Sequence, residues 1–289
     1  MTPMKLCRFT AAQHADVRIG VVEDVGTVRD LTTAGVRRLD DLLERADLGD
    51  ELARLTRHSL PAHALDAVRL LTPVESQEVW AAGVTYLRSK QARMDESDFS
   101  ARAYDHVYEA PRPEIFFKSV PEKVVSPGDA VGIRRDAQWN VPEPELALVI
   151  NSAGSIVGVT IGNDMSSRDI EGENLLYLPQ AKIYNRSCAI GPWVVVGAAE
   201  DEVRQWTIQL QITRDEETAF AGETRVNQIK RGFSELTEYL FRSQAFPRGV
   251  MLLTGAGIVP PDSFTLAGGD RVRITISSIG TLENPVIVV

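Results

Sequence analysis

The sequence predicts an α+β protein dominated by strands, with a small N-terminal α+β unit over residues 1–72 and a larger β-rich core over residues 73–289. Three observations predict it. Short Val- and Ile-rich runs punctuated by Gly and Pro recur throughout the chain after residue 73. A sustained helical stripe is confined mainly to residues 36–55. Between the two regimes, Leu71-Thr72-Pro73 interrupts the chain, and the domain boundary is placed there.

The N-terminal unit opens with residues 5–9, 17–22 and 26–31, where apolar and polar side chains alternate. A period of two sends successive side chains to opposite faces, so these runs read as short strands joined by hairpins. From residue 36 the period lengthens, and Leu39, Leu42, Leu43, Ala46 and Leu48 fall on one stripe of a helix. In the core, the predicted strands are residues 114–117, 131–133, 146–150, 156–161, 193–196, 208–212 and 272–276. Residues 233–241 form the clearest core helix. No internal repeat or low-complexity tract interrupts this order.

A chain of 289 residues with 44% hydrophobic and 25% charged side chains has the composition of an ordinary globular protein. Its formal net charge of −9 argues against a nucleic-acid partner, because phosphate binding needs a concentrated basic face. No apolar stretch approaches the roughly 20 residues that span a bilayer, so no membrane association is expected. Met1-Thr2-Pro3-Met4-Lys5-Leu6-Cys7 lacks the apolar core of a signal peptide. Cys7 and Cys188 share no close spacing, which excludes a disulfide framework and a thiolate zinc site and points to a reducing cytoplasm.

The chemistry concentrates in Val141-Pro142-Glu143-Pro144-Glu145-Leu146-Ala147-Leu148-Val149-Ile150. In extended chain, residues two apart share a face, so Glu143 and Glu145 project together. Two adjacent carboxylates running into an apolar strand repel each other and lose hydration, a cost that a hard divalent cation removes. Pro142 and Pro144 cannot donate to a ladder, which predicts an edge or bulged strand open to a ligand. Asn151-Ser152-Ala153-Gly154-Ser155 reads as the turn of a hairpin. Centred on Ala153-Gly154, an antiparallel register places residue 143 opposite residue 164, an aspartate. Glu143, Glu145 and Asp164 then converge at one end of one hairpin.

These residues carry a family resemblance. Glu143-Pro144-Glu145-Leu146-Ala147, Gly162-Asn163-Asp164-Met165-Ser166-Ser167-Arg168-Asp169, Lys182 and Gly191-Pro192-Trp193 resemble the pattern of the fumarylacetoacetate hydrolase superfamily. Glu114-Ile115-Phe116-Phe117-Lys118, Thr254-Gly255, Gly269-Asp270 and Ile279-Gly280-Thr281-Leu282-Glu283-Asn284 are similar to it as well, in the family's order. The resemblance covers roughly residues 78 to 289. It implies a fumarylacetoacetate hydrolase-like mixed β core and a Mg²⁺ site, with Mn²⁺ or Ca²⁺ as substitutes. It further implies a small-molecule 2-oxo acid that chelates the metal through its carboxylate and keto oxygens, and a homodimer or homotetramer. Members catalyse C–C hydrolysis, decarboxylation, isomerisation or dehydration.

One departure from the pattern narrows the chemistry. Hydrolytic members carry Gly-x-Asn-Tyr-x-x-His near the start of the core, where the histidine activates water. Here the stretch is Gly83-Val84-Thr85-Tyr86-Leu87-Arg88-Ser89-Lys90, with Ser89 in the histidine's place. A serine hydroxyl is no base near neutral pH without a partner. His106 is the histidine nearest this region in sequence, and it is read as structural. The Tyr-x-x-Ser form, with residues 112–118 and 141–145, resembles the sugar-acid dehydratase branch, which includes conversion of 2-keto-3-deoxy-D-arabinonate to 2,5-dioxopentanoate. The reaction needs one group to take the C3 proton and an acid for the leaving hydroxyl. Lys182, the family's lysine, is a candidate base, Glu114 before the Phe116-Phe117 strand is the candidate second carboxylate, and which of the two is base and which acid stays open. Ser89, Lys118, Lys182 and Thr254 would contact substrate. Arg168 and Asp169 would brace the metal turn, with Ser166-x-x-Asp169 read as a capping box. The alternatives are an acylpyruvate hydrolase or oxaloacetate decarboxylase on the same metal site, and a binding protein on a retired scaffold.

Overall fold

The computed structural model describes residues 2–12, 14–23, 26–57, 59–86 and 107–289. The alternating N-terminal runs form an antiparallel meander of β1 (Met4–Ala11), β2 (His14–Glu23) and β3 (Thr27–Asp30). The helical stripe divides into α1 (Leu39–Leu43) and α2 (Leu48–Thr56). A tertiary contact is made at the break. Glu44 ends the first helix and accepts hydrogen bonds from the backbone N–H and the hydroxyl of Ser152, in the distant core hairpin. Strands β4 (Ala62–Ala64) and β5 (Val68–Leu71) follow, and the expected boundary at residues 72 and 73 falls directly after β5.

The core begins with β6 (Glu78–Gly83), β7 (Glu114–Ser119), β8 (Val131–Ile133), β9 (Asn140–Val141), β10 (Pro144–Ile150) and β11 (Ile156–Asp164). After β12 (Ser166–Ser167) come two short helices, α3 (Arg168–Glu173) and α4 (Leu178–Lys182), and then β13 (Cys188–Val196). The remainder is α5 (Glu200–Val203), β14 (Thr207–Arg214), β15 (Glu217–Arg225), α6 (Phe233–Phe241), β16 (Val250–Leu253), β17 (Arg271–Ile276) and β18 (Gly280–Val288). No helix among the described residues is long and apolar enough to cross a membrane.

One large sheet runs in the order β4-β3-β2-β1-β13-β11-β10-β16-β6-β7, with β5 also on β1. The N-terminal strands therefore hydrogen-bond into the core's own sheet through β1 and β13, where Leu6 faces Val194. A second sheet, β15-β14-β17-β18-β8, packs on one face of the first. Strand β10 shows how both faces are filled. Leu146, Leu148 and Ile150 join Ile208, Leu210 and Ile274 of the second sheet in one core cluster. Ala147 and Val149 join Leu39, Leu42, Leu52 and Leu55 of α1 and α2 in the other. A strand buried on both faces reads as a continuous apolar run, as residues 146–150 do.

The hairpin has the predicted register. Pro144 faces Asn163 and Glu145 faces Gly162, with a bulge at Val149 and Ile150 beside the turn. The prediction of an edge strand at the two prolines is corrected: β10 lies inside the sheet, between β11 and β16. Pairing with β16 starts only at Ala147, opposite Leu253. The proline-containing end therefore extends beyond its neighbour, so the missing donors of Pro142 and Pro144 cost no ladder bonds. The site is built at that overhang.

Candidate active site

Strand alternation assembles the site from three segments. Glu143 and Glu145 continue the face of Ala147 and Val149 on β10. Asp164 ends β11, and its N–H donates to the Glu143 carbonyl at 3.0 Å. On β7, Glu114, Phe116 and Lys118 share a face at a spacing of two. Glu143, Glu145 and Asp164 are all buried, and one carboxylate oxygen from each lies within 4.8 Å of the others. Together with Glu114, Lys182 and Glu171 they line one small cavity.

Cations from three elements surround the carboxylates. The Lys182 ammonium, at the end of α4, donates to Glu143 Oε2 at 2.6 Å, to Asp164 Oδ2 at 3.1 Å and to Ser166 Oγ at 2.5 Å. The Lys118 ammonium, fully buried, pairs with Asp164 Oδ1 and donates to the carbonyls of Met165 at 3.0 Å and Lys182 at 2.5 Å. Arg168 Nη1 lies 3.5 Å from Glu143 Oε1. Glu145 accepts from the Gly255 N–H. Burial, and then the negative charges of Asp164 and Glu143, hold the Glu145 carboxyl well above the usual carboxylate range. Three oxygen-bearing acids, mutually repelling and shielded from water, fit a hard divalent cation.

The structure brings Glu114, Glu143, Glu145, Asp164 and Lys182 to one cavity. Lys118 reaches the same cluster from beneath as the counter-ion of Asp164. Thr254 is fully buried, and its hydroxyl donates to the Leu146 carbonyl at 2.9 Å. The cavity wall at that point is its neighbour Gly255. Ser89 and His106 lie outside the described residues. Arg168 braces Glu143, as expected, but the capping box is corrected. Helix α3 has Ser167 at its N-cap with no side-chain cap bond, and Asp169 accepts from the Gln138 N–H at 2.6 Å instead. Ser166 serves Lys182. Sequence reasoning passed over Glu171, which is buried and lines the cavity. The available signal was its spacing, three residues after Arg168 and so on the same helical face.

Gly83 shows how tightly Glu114 is seated. Opposite Glu114 in the β6–β7 pair, it would carry any Cβ only 2.1 Å from Glu114 Oε2. Gly83→Ala is therefore expected to push the Glu114 carboxylate from its place, lowering turnover by at least tenfold. The cation-induced shift in melting temperature should survive. Unchanged turnover in Gly83→Ala would show that Glu114 has no positional role.

The buried thiols take no part. Burial pushes both Cys7 and Cys188 up to about 12, so neither is a thiolate near neutral pH.

Comparison with known proteins agrees with this geometry. The family model for the fumarylacetoacetate (FAA) hydrolase C-terminal domain matches residues 78–287. A probable 2-keto-3-deoxyxylonate dehydratase of Haloferax volcanii is 44% identical over 273 residues, covering 94% of this chain and 90% of that protein. A 2-dehydro-3-deoxy-D-arabinonate dehydratase of Saccharolobus solfataricus is 40% identical over 243 residues, covering 83% and 82%. Among solved structures, a 2-keto-3-deoxy-D-arabinonate dehydratase complexed with magnesium and 2,5-dioxopentanoate superposes with a TM-score of 0.81 at 33% identity over 99% of each chain. A family model that matches residues 78–287, and relatives 40% and 44% identical over most of the chain, lead to one conclusion: the chain belongs to the fumarylacetoacetate hydrolase family.

Proposed function

We propose that this chain is a Mg²⁺-dependent hydro-lyase that dehydrates a 2-keto-3-deoxypentonate to 2,5-dioxopentanoate, in solution as a homodimer or homotetramer. The observation that carries the reading is a carboxylate triad sharing its cavity with a lysine and a separate glutamate. The near-full-length similarity to dehydratases supports it. A ketone at C2 and a methylene at C3 leave C4 as the only stereocentre. Within one D or L series, arabinonate- and xylonate-derived acids are therefore the same compound.

Glu143, Glu145 and Asp164 would hold a divalent cation, which would polarise the bound 2-oxo acid and stabilise the negative charge that forms as C3 loses a proton. Lys182 takes the C3 proton. Lys118 and Arg168 fix Asp164 and Glu143, so that the triad does not rearrange when the lysine's charge changes. Glu114 donates a proton to the C4 hydroxyl, which leaves as water. The Phe116 ring, its centroid 5.8 Å from Lys182 Nζ, closes the apolar side of the lysine.

The reading is tested with a substrate panel. Supplied with Mg²⁺, the protein is expected to consume 2-keto-3-deoxy-D-arabinonate far faster than acylpyruvates or oxaloacetate. The reverse preference would favour a hydrolase or decarboxylase on the same site. Ser89, standing where hydrolytic relatives place histidine, is expected to hydrogen-bond a substrate hydroxyl. Ser89→Ala should then cost about 0.5–3 kcal/mol in kcat/KM, the range from a neutral bond to an uncompensated partner. A loss as large as that of a Glu143→Gln variant would assign Ser89 to the chemistry itself. Light scattering that returned the mass of a single chain would contradict the proposed assembly.

A further inference from the structure

The conversion to the aldehyde needs more proton transfers than the two given to Lys182 and Glu114. Breaking C3–H and C4–O forms a C3=C4 double bond and gives 5-hydroxy-2-oxopent-3-enoate plus water. That acid is an isomer of 2,5-dioxopentanoate. Reaching the aldehyde requires a base to take a proton from C5, so that a C4=C5 bond forms and the C3=C4 electrons move toward the C2 carbonyl. Return of a proton to C3 gives the C5 enol. The enol becomes the aldehyde by losing its O–H proton and gaining one at C4. No oxidant or reductant enters.

Glu171 is placed to take the C5 proton. It sits on α3, three residues after Arg168, whose guanidinium faces Glu143, so the shared helix face presents Glu171 to the same cavity. The helix is pinned at its start by the Arg168 N–H to the Trp139 carbonyl at 2.7 Å and by Asp169 to the Gln138 N–H at 2.6 Å. Glu171 is 1% exposed. It shares with Glu114 a second position: both also line the adjoining pocket walled by Val107, Pro113, Leu175 and Leu178. The two carboxyl groups thus belong both to the carboxylate cavity and to a mostly apolar pocket that Arg112 also lines. A substrate held by C1 and C2 at the triad would bring C4 and C5 to Glu171 if its chain ran toward these shared residues.

Resting on the proposed dehydratase reading, the geometry points to Glu171 as a catalytic residue that removes the C5 proton of the dehydrated acid and so completes the isomerisation to the aldehyde.

The experiment uses full-length wild type and Glu171→Gln with Mg²⁺. The substrate is 2-keto-3-deoxy-D-arabinonate, and remaining substrate, conjugated unsaturated acid and aldehyde are each quantified by NMR. Glu171→Gln is expected to form aldehyde about 10²-fold more slowly than wild type, the lower end of a general-base effect, with the unsaturated acid accumulating. Aldehyde appearing in step with substrate loss at the wild-type rate would overturn the assignment. If Glu171→Gln consumes no substrate, synthetic 5-hydroxy-2-oxopent-3-enoate supplied directly decides. Conversion by wild type at least tenfold faster than by the variant upholds the role, and equal rates or no wild-type conversion overturn it. Failure of wild type to consume the sugar acid would sink the dehydratase reading and this inference with it. Wild-type turnover with normal aldehyde release by Glu171→Gln would sink the inference alone.

Discussion

Exhaustive treatment with a chelator is expected to abolish turnover, and added Mg²⁺ or Mn²⁺ to restore it. Three carboxylates within 4.8 Å are a large electrostatic liability in a buried place. The raised Glu145 carboxyl shows the strain of that arrangement without a cation. Ion binding should therefore stabilise the fold as well as support catalysis, by about 2.7 kcal/mol at a cation concentration 100 times Kd. The choice of variant matters. Asp164→Asn strips the fully buried Lys118 of its counter-ion, and an uncompensated buried charge costs about 3–5 kcal/mol. That variant confounds binding with folding. Glu145→Gln is cleaner, because its oxygen can still accept from the Gly255 N–H and burial beside Asp164 and Glu143 already disfavours a charge there. Glu145→Gln should be at least as stable as wild type without cation, yet show a much smaller Mg²⁺-induced shift in melting temperature. Full activity after chelation, or an undiminished Mg²⁺ shift in Glu145→Gln, would contradict the metal assignment.

Lys182→Ala is expected to lower turnover by a factor on the order of 10²–10⁴, the size of a general acid–base contribution. Its effect on cation affinity should have the opposite sign. The ammonium occupies Glu143 and Asp164 at 2.6 Å and 3.1 Å, so removing it takes one competing positive charge away from both. Without cation, the same change leaves two buried carboxylates short of a partner and should destabilise the fold. The Mg²⁺-induced rise in melting temperature should thus be larger in Lys182→Ala than in wild type. A normal turnover number would transfer the C3 proton to another group, with Glu114 next in line. A lost Mg²⁺ response would make Lys182 a structural support of the site.

Local patterns in the chain made the carboxylate site legible. The two-residue period fixed the common face of Glu143 and Glu145, and a turn at Ala153 and Gly154 sufficed to bring Asp164 opposite Glu143. The same reasoning placed most strands and the helix Phe233–Phe241. Contacts between distant segments were not legible. Strand β16 joins β10 across more than 100 residues of sequence, so two prolines suggested an edge where a partner begins a few residues further on. Glu44, at the end of a helix, accepts from a hydroxyl in a remote hairpin, a contact that no periodicity reveals. Lys118 carried a motif position that implied substrate, and only the fold shows its ammonium committed to Asp164 and two carbonyls. Thr254 is the corresponding case on β16's end, its hydroxyl already used by Leu146.

The most direct measurement is product identification by mass spectrometry after incubating purified protein with Mg²⁺ and 2-keto-3-deoxy-D-arabinonate, with an acylpyruvate in parallel. The account predicts loss of one water from the sugar acid and appearance of 2,5-dioxopentanoate, trapped as an aldehyde adduct, with the acylpyruvate largely intact. Rapid cleavage of the acylpyruvate into two acids, with no aldehyde formed from the sugar acid, would contradict it.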